Sequence, residues 1–202
     1  MTPFGPNDLW KLSSSFEALT RWATDAGKGV YNQNDPAKAK QLLQEAGYKG
    51  EPIGLIFASD DVTSNKAAQA LIPQLRNIGI NVNPEGTDGA TFVARRSNKE
   101  ERWTLWQGWS VAQPDPANHA FFGGSFDGGF KSNAIDALRT EFQEALGFDA
   151  QYKVWEKMEA QVWAELPMIK NGGDLTGLIG TRSNITGWND FFDLIVTGLQ
   201  KT

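Results

Sequence analysis

The residues best suited to chemistry gather around one tryptophan-rich run, Trp103-Thr104-Leu105-Trp106-Gln107-Gly108-Trp109, and the polar stretch after it. Read as a strand, this run feeds a loop over 111–132 that is rich in Gly, Asp, Pro and Phe. Loops of that length inside a compact domain are usually functional or disordered. Ligands of open α/β sheets sit outside the carboxyl ends of strands, which places Trp109, Ser110 and the residues that follow at a cleft edge. Trp109 offers a flat apolar face and one N–H donor, suited to stacking on a peptide side chain or a sugar ring. In a regular strand Gln107 shares the face of Trp109 and offers amide donors and acceptors. Gln113 and Asp115 complete the candidate ligand-binding set. Competing structural roles are packing of the indoles against helices, a cross-strand partner for Gln107, and a turn shaped by Asp115 before Pro116.

Other chemistries have little material. There is no cysteine, which excludes disulfides, thiol catalysis and Cys-based zinc sites, and one histidine, His119, which reads as a surface or turn residue. The 24 acidic residues include the adjacent pairs Asp60-Asp61 and Glu100-Glu101, which read as solvated. Asp60-Asp61 ahead of Thr63-Ser64 looks like the start of a helix. The glycines around Ser125-Phe126-Asp127 lack the strand–turn–helix setting of a nucleotide loop. No catalytic residue, metal ligand or cofactor is expected.

A net charge of −5 and a pI near 5.0 argue against nucleic acid as a partner, since no basic face is there to displace counterions. Arg95-Arg96 reads as a solvated helix end. No apolar run approaches the roughly 18 residues of a membrane span. The opening, Met1-Thr2-Pro3-Phe4-Gly5-Pro6, has neither the basic nor the apolar region of a signal peptide.

The elements that must position these residues are clearest over 34–84. Asp35 caps a helix whose first residue is Pro36, with Ala39, Leu42, Leu43 and Ala46 on one face and Gly47 as its stop. Ile53 to Phe57 is a strand. A helix from Ser64 carries Ala68, Leu71, Leu75 and Ile78 inward and closes at Gly79, and Ile80-Asn81-Val82 resumes as strand. This order favours a parallel pair joined by a right-handed crossover. Thr87 or Asp88 then caps a short helix carrying Phe92 and Val93.

Downstream, helices are expected over 133–146, with Ile135, Leu138, Phe142 and Leu146, and over 149–166, capped by Asp149 and carrying Tyr152, Trp155, Val162, Trp163 and Leu166. Met168–Lys170 and Leu175–Ile179 read as strands about a turn. Residues 1–33 are the least regular part, with Ser15 as the cap of a short helix carrying Phe16, Leu19 and Trp22.

Four blocks of residues resemble the C-terminal lobe of the family 5 extracellular solute-binding proteins, the dipeptide, oligopeptide and nickel receptors of ATP-driven bacterial importers. The first is Tyr31, Asn34-Asp35-Pro36-Ala37-Lys38-Ala39-Lys40, Leu42-Leu43 and Glu45-Ala46-Gly47-Tyr48. The second is Gln74-Leu75 with Ile78-Gly79-Ile80-Asn81-Val82. The third is Gly108-Trp109 followed by Pro114-Asp115-Pro116 and Phe121-Phe122, and the fourth Glu165-Leu166-Pro167 with Asn184-Ile185-Thr186-Gly187-Trp188.

The resemblance implies an α/β fold: one lobe of a periplasmic-binding-protein-like clamshell of the type II, peptide-receptor class, with a mixed sheet flanked by helices. It implies a lead-in segment over 1–30 from an absent N-terminal lobe, the lobe itself over 31–190 and a tail over 191–202. The implied function is capture of a small solute such as an oligopeptide, sugar or modified amino acid. The membrane permease is the implied partner of the full-length form, located in the periplasm or attached outside the membrane. In peptide-binding members an aspartate three residues after the tryptophan holds the ligand's amino group; here that position is Ala112. A buried ammonium without a counter-charge is costly, so neutral or anionic ligands gain ground. Competing readings are a carbohydrate-active hydrolase, which needs two carboxylates converging at roughly 5–10 Å, and a protein-interaction domain whose bare apolar half drives self-association.

Overall fold

The computed structural model describes residues 10–98, 103–111, 113, 115–119, 131–165, 170, 174–175, 184–186, 189–191, 193–195 and 200–201. The readings placed on Glu100-Glu101, Ala112, Pro114, Phe121-Phe122, the 123–129 glycines, Leu166 to Ile169 and Gly187-Trp188 lie outside the described residues.

In chain order the elements are β1 (Trp10–Lys11), α1 (Pro36–Glu45), β2 (Ile53–Ala58), α2 (Val62–Asn77), β3 (Val82–Thr87), α3 (Gly89–Ser97), β4 (Leu105–Gln107), a 3-10 turn (Pro116–Asn118), α4 (Asn133–Glu144), α5 (Phe148–Glu165), β5 (Asp174–Leu175), β6 (Ile185–Thr186), β7 (Asn189–Phe191), β8 (Asp193–Ile195) and β9 (Gln200–Lys201). The central sheet has the order β3-β2-β4 and is parallel throughout, with Leu55 opposite Pro84 on one side and Leu105 on the other. Pro84 is tolerated because β3 has β2 on one side only, so its missing N–H breaks no ladder. Antiparallel pairs β1–β5, β6–β9 and β7–β8 accompany this sheet.

Alternation along β2 divides the interior. Leu55 and Phe57 pack with Ala68 and Ile72 of α2 and Val82 of β3, while Ile56 and Ala58 pack with Phe92 of α3 and the rings of Trp103 and Trp106. The chain thus leaves β2 through a helix on one face of the sheet and reaches β4 through a helix on the other. That reversal makes the carboxyl end of β2 a topological switch point.

Several boundaries depart from the sequence reading. α2 starts two residues early, at Val62, because Asp61 accepts from Ser64 N–H at 2.6 Å. Its buried face is Ser64, Ala68 and Ile72, and Leu71 and Leu75 are half-buried. β3 begins at Val82 rather than Ile80, since Ile80 N–H returns to Leu75 O and closes the helix end. α5 starts at Phe148, so Asp149 lies in the first turn instead of capping it. Leu146 is 91 % exposed at the α4–α5 corner, not part of the buried face. α1 forms with its expected Asp35 cap and Pro36 start, yet buries none of its residues, and Leu42 is half-exposed. The 103–109 run is strand only over Leu105–Gln107.

The largest departure concerns residues 10–33. They contain turns rather than the expected helix, and Leu19 is half-exposed. They are nonetheless deeply packed: Trp22 joins Ile135 and Phe142 of α4 and Val154, Trp155, Met158 and Val162 of α5 in a second core. A segment without regular structure must find partners for its carbonyls elsewhere. α5 supplies them: Trp155 Nε1 donates to Trp22 O at 2.8 Å, Tyr152 OH to Ala23 O at 2.6 Å and Trp163 Nε1 to Ser14 O at 3.1 Å.

Candidate functional site

The three parallel strands deliver Ser59-Asp60-Asp61, Thr87-Asp88 and Gly108-Trp109-Ser110 to the same edge of the sheet. Ser59 ties two of these ends, with its N–H 2.7 Å and its hydroxyl 3.0 Å from Thr87 O. Asp60 accepts from Gly89 N–H at 3.1 Å, and Asp88 caps α3 through Thr91 N–H at 3.0 Å. At β4 the chain must turn outward past the ring of Trp106, which packs on Phe92 and lies under the Arg96 guanidinium at 5.0 Å. A Cβ at Gly108 would meet Trp106 at 2.8 Å, so the turn requires glycine there.

Beyond that turn Trp109 is 62 % exposed. Asp61 stands beside it. Its carboxyl is held below the ordinary range chiefly by Ser64 N–H at the helix start, with smaller help from the Ser64 hydroxyl and the Trp109 side chain. Asp88 is likewise lowered by Thr91. Acids kept ionised as helix caps are the reverse of a proton donor, whose pKa must be raised. The edge therefore offers an aromatic face rimmed by carboxylates and hydroxyls.

The expected site residues divide. Trp109 and Ser110 are exposed at the strand end. Gln107 is buried, at 7 % exposure. The strand stops at Gln107, so regular alternation does not extend across Gly108 to Trp109. Gln113 is half-buried, and its N–H donates to Glu17 Oε1 at 3.1 Å. Asp115 directs Oδ1 to Ala117 N–H and Oδ2 to Asn118 Nδ2, both at 3.0 Å, and so shapes the 3-10 turn.

His119 is a correction: it is buried, not on the surface, and its Nε2 is hydrogen-bonded to Glu17 Oε1. Arg95 also departs from a solvated helix end, bonding Glu85 at 2.8 Å. Local pattern gave no hint of the buried acids Glu17 and Glu159, because their partners lie about a hundred residues or more away. Among the described residues no group of three or more His, Cys, Asp or Glu could hold a metal ion, and no helix is long and apolar enough to cross a membrane.

Comparison with known proteins bears on the family and the fold. The chain is 29 % identical over 196 residues to the probable peptide ABC transporter periplasmic-binding protein y4tO of Sinorhizobium fredii, covering 86 % of this chain and 36 % of that protein. It is 27 % identical over 143 residues to the glutathione-binding protein GsiB of Pectobacterium atrosepticum, covering 60 % of this chain and 28 % of the relative. The chain thus spans about a third of the length of the curated relatives it matches.

Among solved structures, the substrate-binding protein CtaP of Listeria monocytogenes superposes with a TM-score of 0.68 at 18 % identity, over 80 % of this chain and 34 % of that one. The dipeptide-binding protein of a Pseudoalteromonas species, in complex with Met-Leu, does so with 0.64 at 23 % identity, over 83 % and 36 %. The fold is therefore that of the type II periplasmic binding proteins, a parallel sheet flanked by helices. Residues 7–129 match the family described as bacterial extracellular solute-binding proteins, family 5 Middle. The chain belongs to the family 5 extracellular solute-binding proteins.

Proposed function

We propose that this chain is a solute-binding lobe of the receptor of an ATP-driven bacterial importer, and that its solute is of the peptide class. The observation that carries the reading is Trp109, largely exposed at the carboxyl end of β4 beside the switch point of the sheet. Trp109 and Ser110 are the contacting residues, and Gln113 and Asp115 shape the loop behind them. The chain does no covalent chemistry. Its work is to contribute one face to a closing cleft, so that closure shifts a population toward the shut form. The full receptor works outside the cytoplasmic membrane and delivers to a membrane permease. The similarity to a probable peptide-transporter binding protein and to a dipeptide-binding protein in complex with Met-Leu supports the peptide class.

Ala112 refines the ligand, on the resemblance to peptide receptors that carry an aspartate there. Without that carboxylate a free amino terminus has no counter-charge, and a blocked or modified peptide is accommodated better. The test is titration of the 15N-labelled chain with Met-Leu and with N-acetyl-Met-Leu, following the Trp109 indole N–H signal. One lobe supplies part of the contacts, so dissociation constants in the millimolar range are expected. The acetylated dipeptide should bind at least as tightly as the free one. An indole signal unmoved by either compound at tens of millimolar overturns the solute reading. A clear preference for the free amino terminus overturns the role given to Ala112.

A further inference from the structure

Glu17 is 1 % exposed and belongs to the irregular segment that packs on α5. Its Oε1 accepts from Gln113 N–H at 3.1 Å and is hydrogen-bonded to His119 Nε2. One carboxylate oxygen thus holds both Gln113 and His119. Between those two points Asp115 holds the 3-10 turn through Ala117 and Asn118, while Pro116 and Ala117 are buried. Glu17's other oxygen, Oε2, is buried with no hydrogen-bond partner among the described residues. A buried acid with one oxygen unsatisfied costs stability, and such a group calls for an explanation other than packing.

The segment bearing Glu17 is itself fixed. Ser15 and Phe16, directly before it, are held by the buried Glu159 of α5, and Ala18 beside it is buried. The carboxylate is therefore a rigid post, and Gln113 and His119 are tied to it. From this geometry we infer that Glu17 is a positioning residue for solute binding: it fixes Gln113 and the turn 115–119 and so sets where they stand relative to Trp109. The inference rests on the solute-binding reading and adds to it a residue that never touches the ligand.

The experiment compares the wild-type chain with Glu17→Ala and Glu17→Gln by amide hydrogen exchange and by titration with N-acetyl-Met-Leu. Glu17→Ala should speed exchange at Gln113 about tenfold or more, while Leu55 and Phe57 in β2 keep their protection. Glu17→Gln keeps a carbonyl acceptor and should restore Gln113 to within about threefold of wild type. Apparent affinity should follow the same order, weakened about fivefold or more in Glu17→Ala and recovered in Glu17→Gln. If Glu17→Ala does not fold, Glu17→Asp takes its place, since it withdraws the carboxylate by one methylene.

Unchanged exchange at Gln113, or equal acceleration at Leu55 and Phe57, overturns the inference. So does unchanged affinity in a variant whose Gln113 amide has been released, and in that case the solute reading survives. A wild-type Trp109 signal that no compound moves defeats the solute reading instead, and Glu17 as a positioning residue for binding falls with it.

Discussion

The hydroxyl of Ser15 lies 2.9 Å from Oε1 of Glu159, a fully buried carboxylate 144 residues further along the chain. The same oxygen accepts from Phe16 N–H at 2.6 Å, and Oε2 accepts from the Thr24 hydroxyl. Three donors from an irregular segment thus converge on one side chain of α5. Burial pushes the Glu159 carboxyl above its ordinary range, and the donors from Thr24, Phe16 and Ser15, together with Lys170, pull against that shift without cancelling it.

The pH dependence follows from that sign. An acid whose folded pKa is raised binds its proton more tightly in the folded state. Its stabilising contribution is complete below the ordinary carboxylate value and is lost as pH rises through the raised one. Asp174, also raised by burial, works in the same direction. Glu159→Gln cannot ionise. Urea unfolding between pH 4.5 and 7 should show this variant gaining stability relative to wild type as pH rises. Parallel profiles would refute the assignment. Glu159→Ala, which strands the Ser15 and Thr24 hydroxyls, should cost about 2–4 kcal/mol.

Two leucines with similar helical or strand credentials should behave oppositely. Leu55 is 1 % exposed between α2 and the neighbouring strands, and Leu55→Ala should cost about 3 kcal/mol through lost transfer energy and a residual cavity. Leu42 is half-exposed on α1, and Leu42→Ala should fall within about 0.5 kcal/mol of wild type. Chemical denaturation of both variants measures the contrast, and a large loss at Leu42 would mean that the α1 face is covered in solution.

This pair also shows what could be read from the chain alone. Local rules placed α1, α2, β2 and the parallel pairing, because caps, glycine stops and apolar spacing are properties of short windows. They could not say which apolar face is buried. That depends on whether another element arrives, and Leu42 is left half-exposed. The same blindness hid the core role of residues 10–33, whose order comes from α5 side chains satisfying their carbonyls. Trp109 was legible as a strand-end aromatic. Glu17 was not, because its meaning lies in Gln113 and His119, and His119 had no partner visible at short range.

The helix caps at the sheet edge should also contribute to stability. Asp61→Ala and Asp88→Ala each remove an acceptor for a helix-start N–H, and loss of the cap at α2 should cost about 1 kcal/mol. Both carboxyls are held below their ordinary range, so their contributions are present above that range and fade as pH falls through the lowered values. Asp61→Asn keeps an acceptor and should retain most of the stability while losing this acid dependence. Thermal melts at pH 3 and 7 distinguish the two substitutions.

Trp109 offers the sharpest separation of binding from folding. Its ring is largely exposed, so Trp109→Ala removes little buried area and should leave the melting temperature within about 2 °C of wild type. If the ring is the face on which the solute stacks, the same variant should weaken N-acetyl-Met-Leu binding about tenfold or more, since a stacked aromatic contributes both area and geometry. Trp109→Phe keeps a flat face and should recover part of that loss. Gln107→Ala is the informative opposite: it opens a buried position beneath the turn, so it should lower the melting temperature more than Trp109→Ala does. A Trp109→Ala chain that binds like wild type would move the solute away from the end of β4. Loss of binding only in variants that also melt early would make the strand end a structural feature alone.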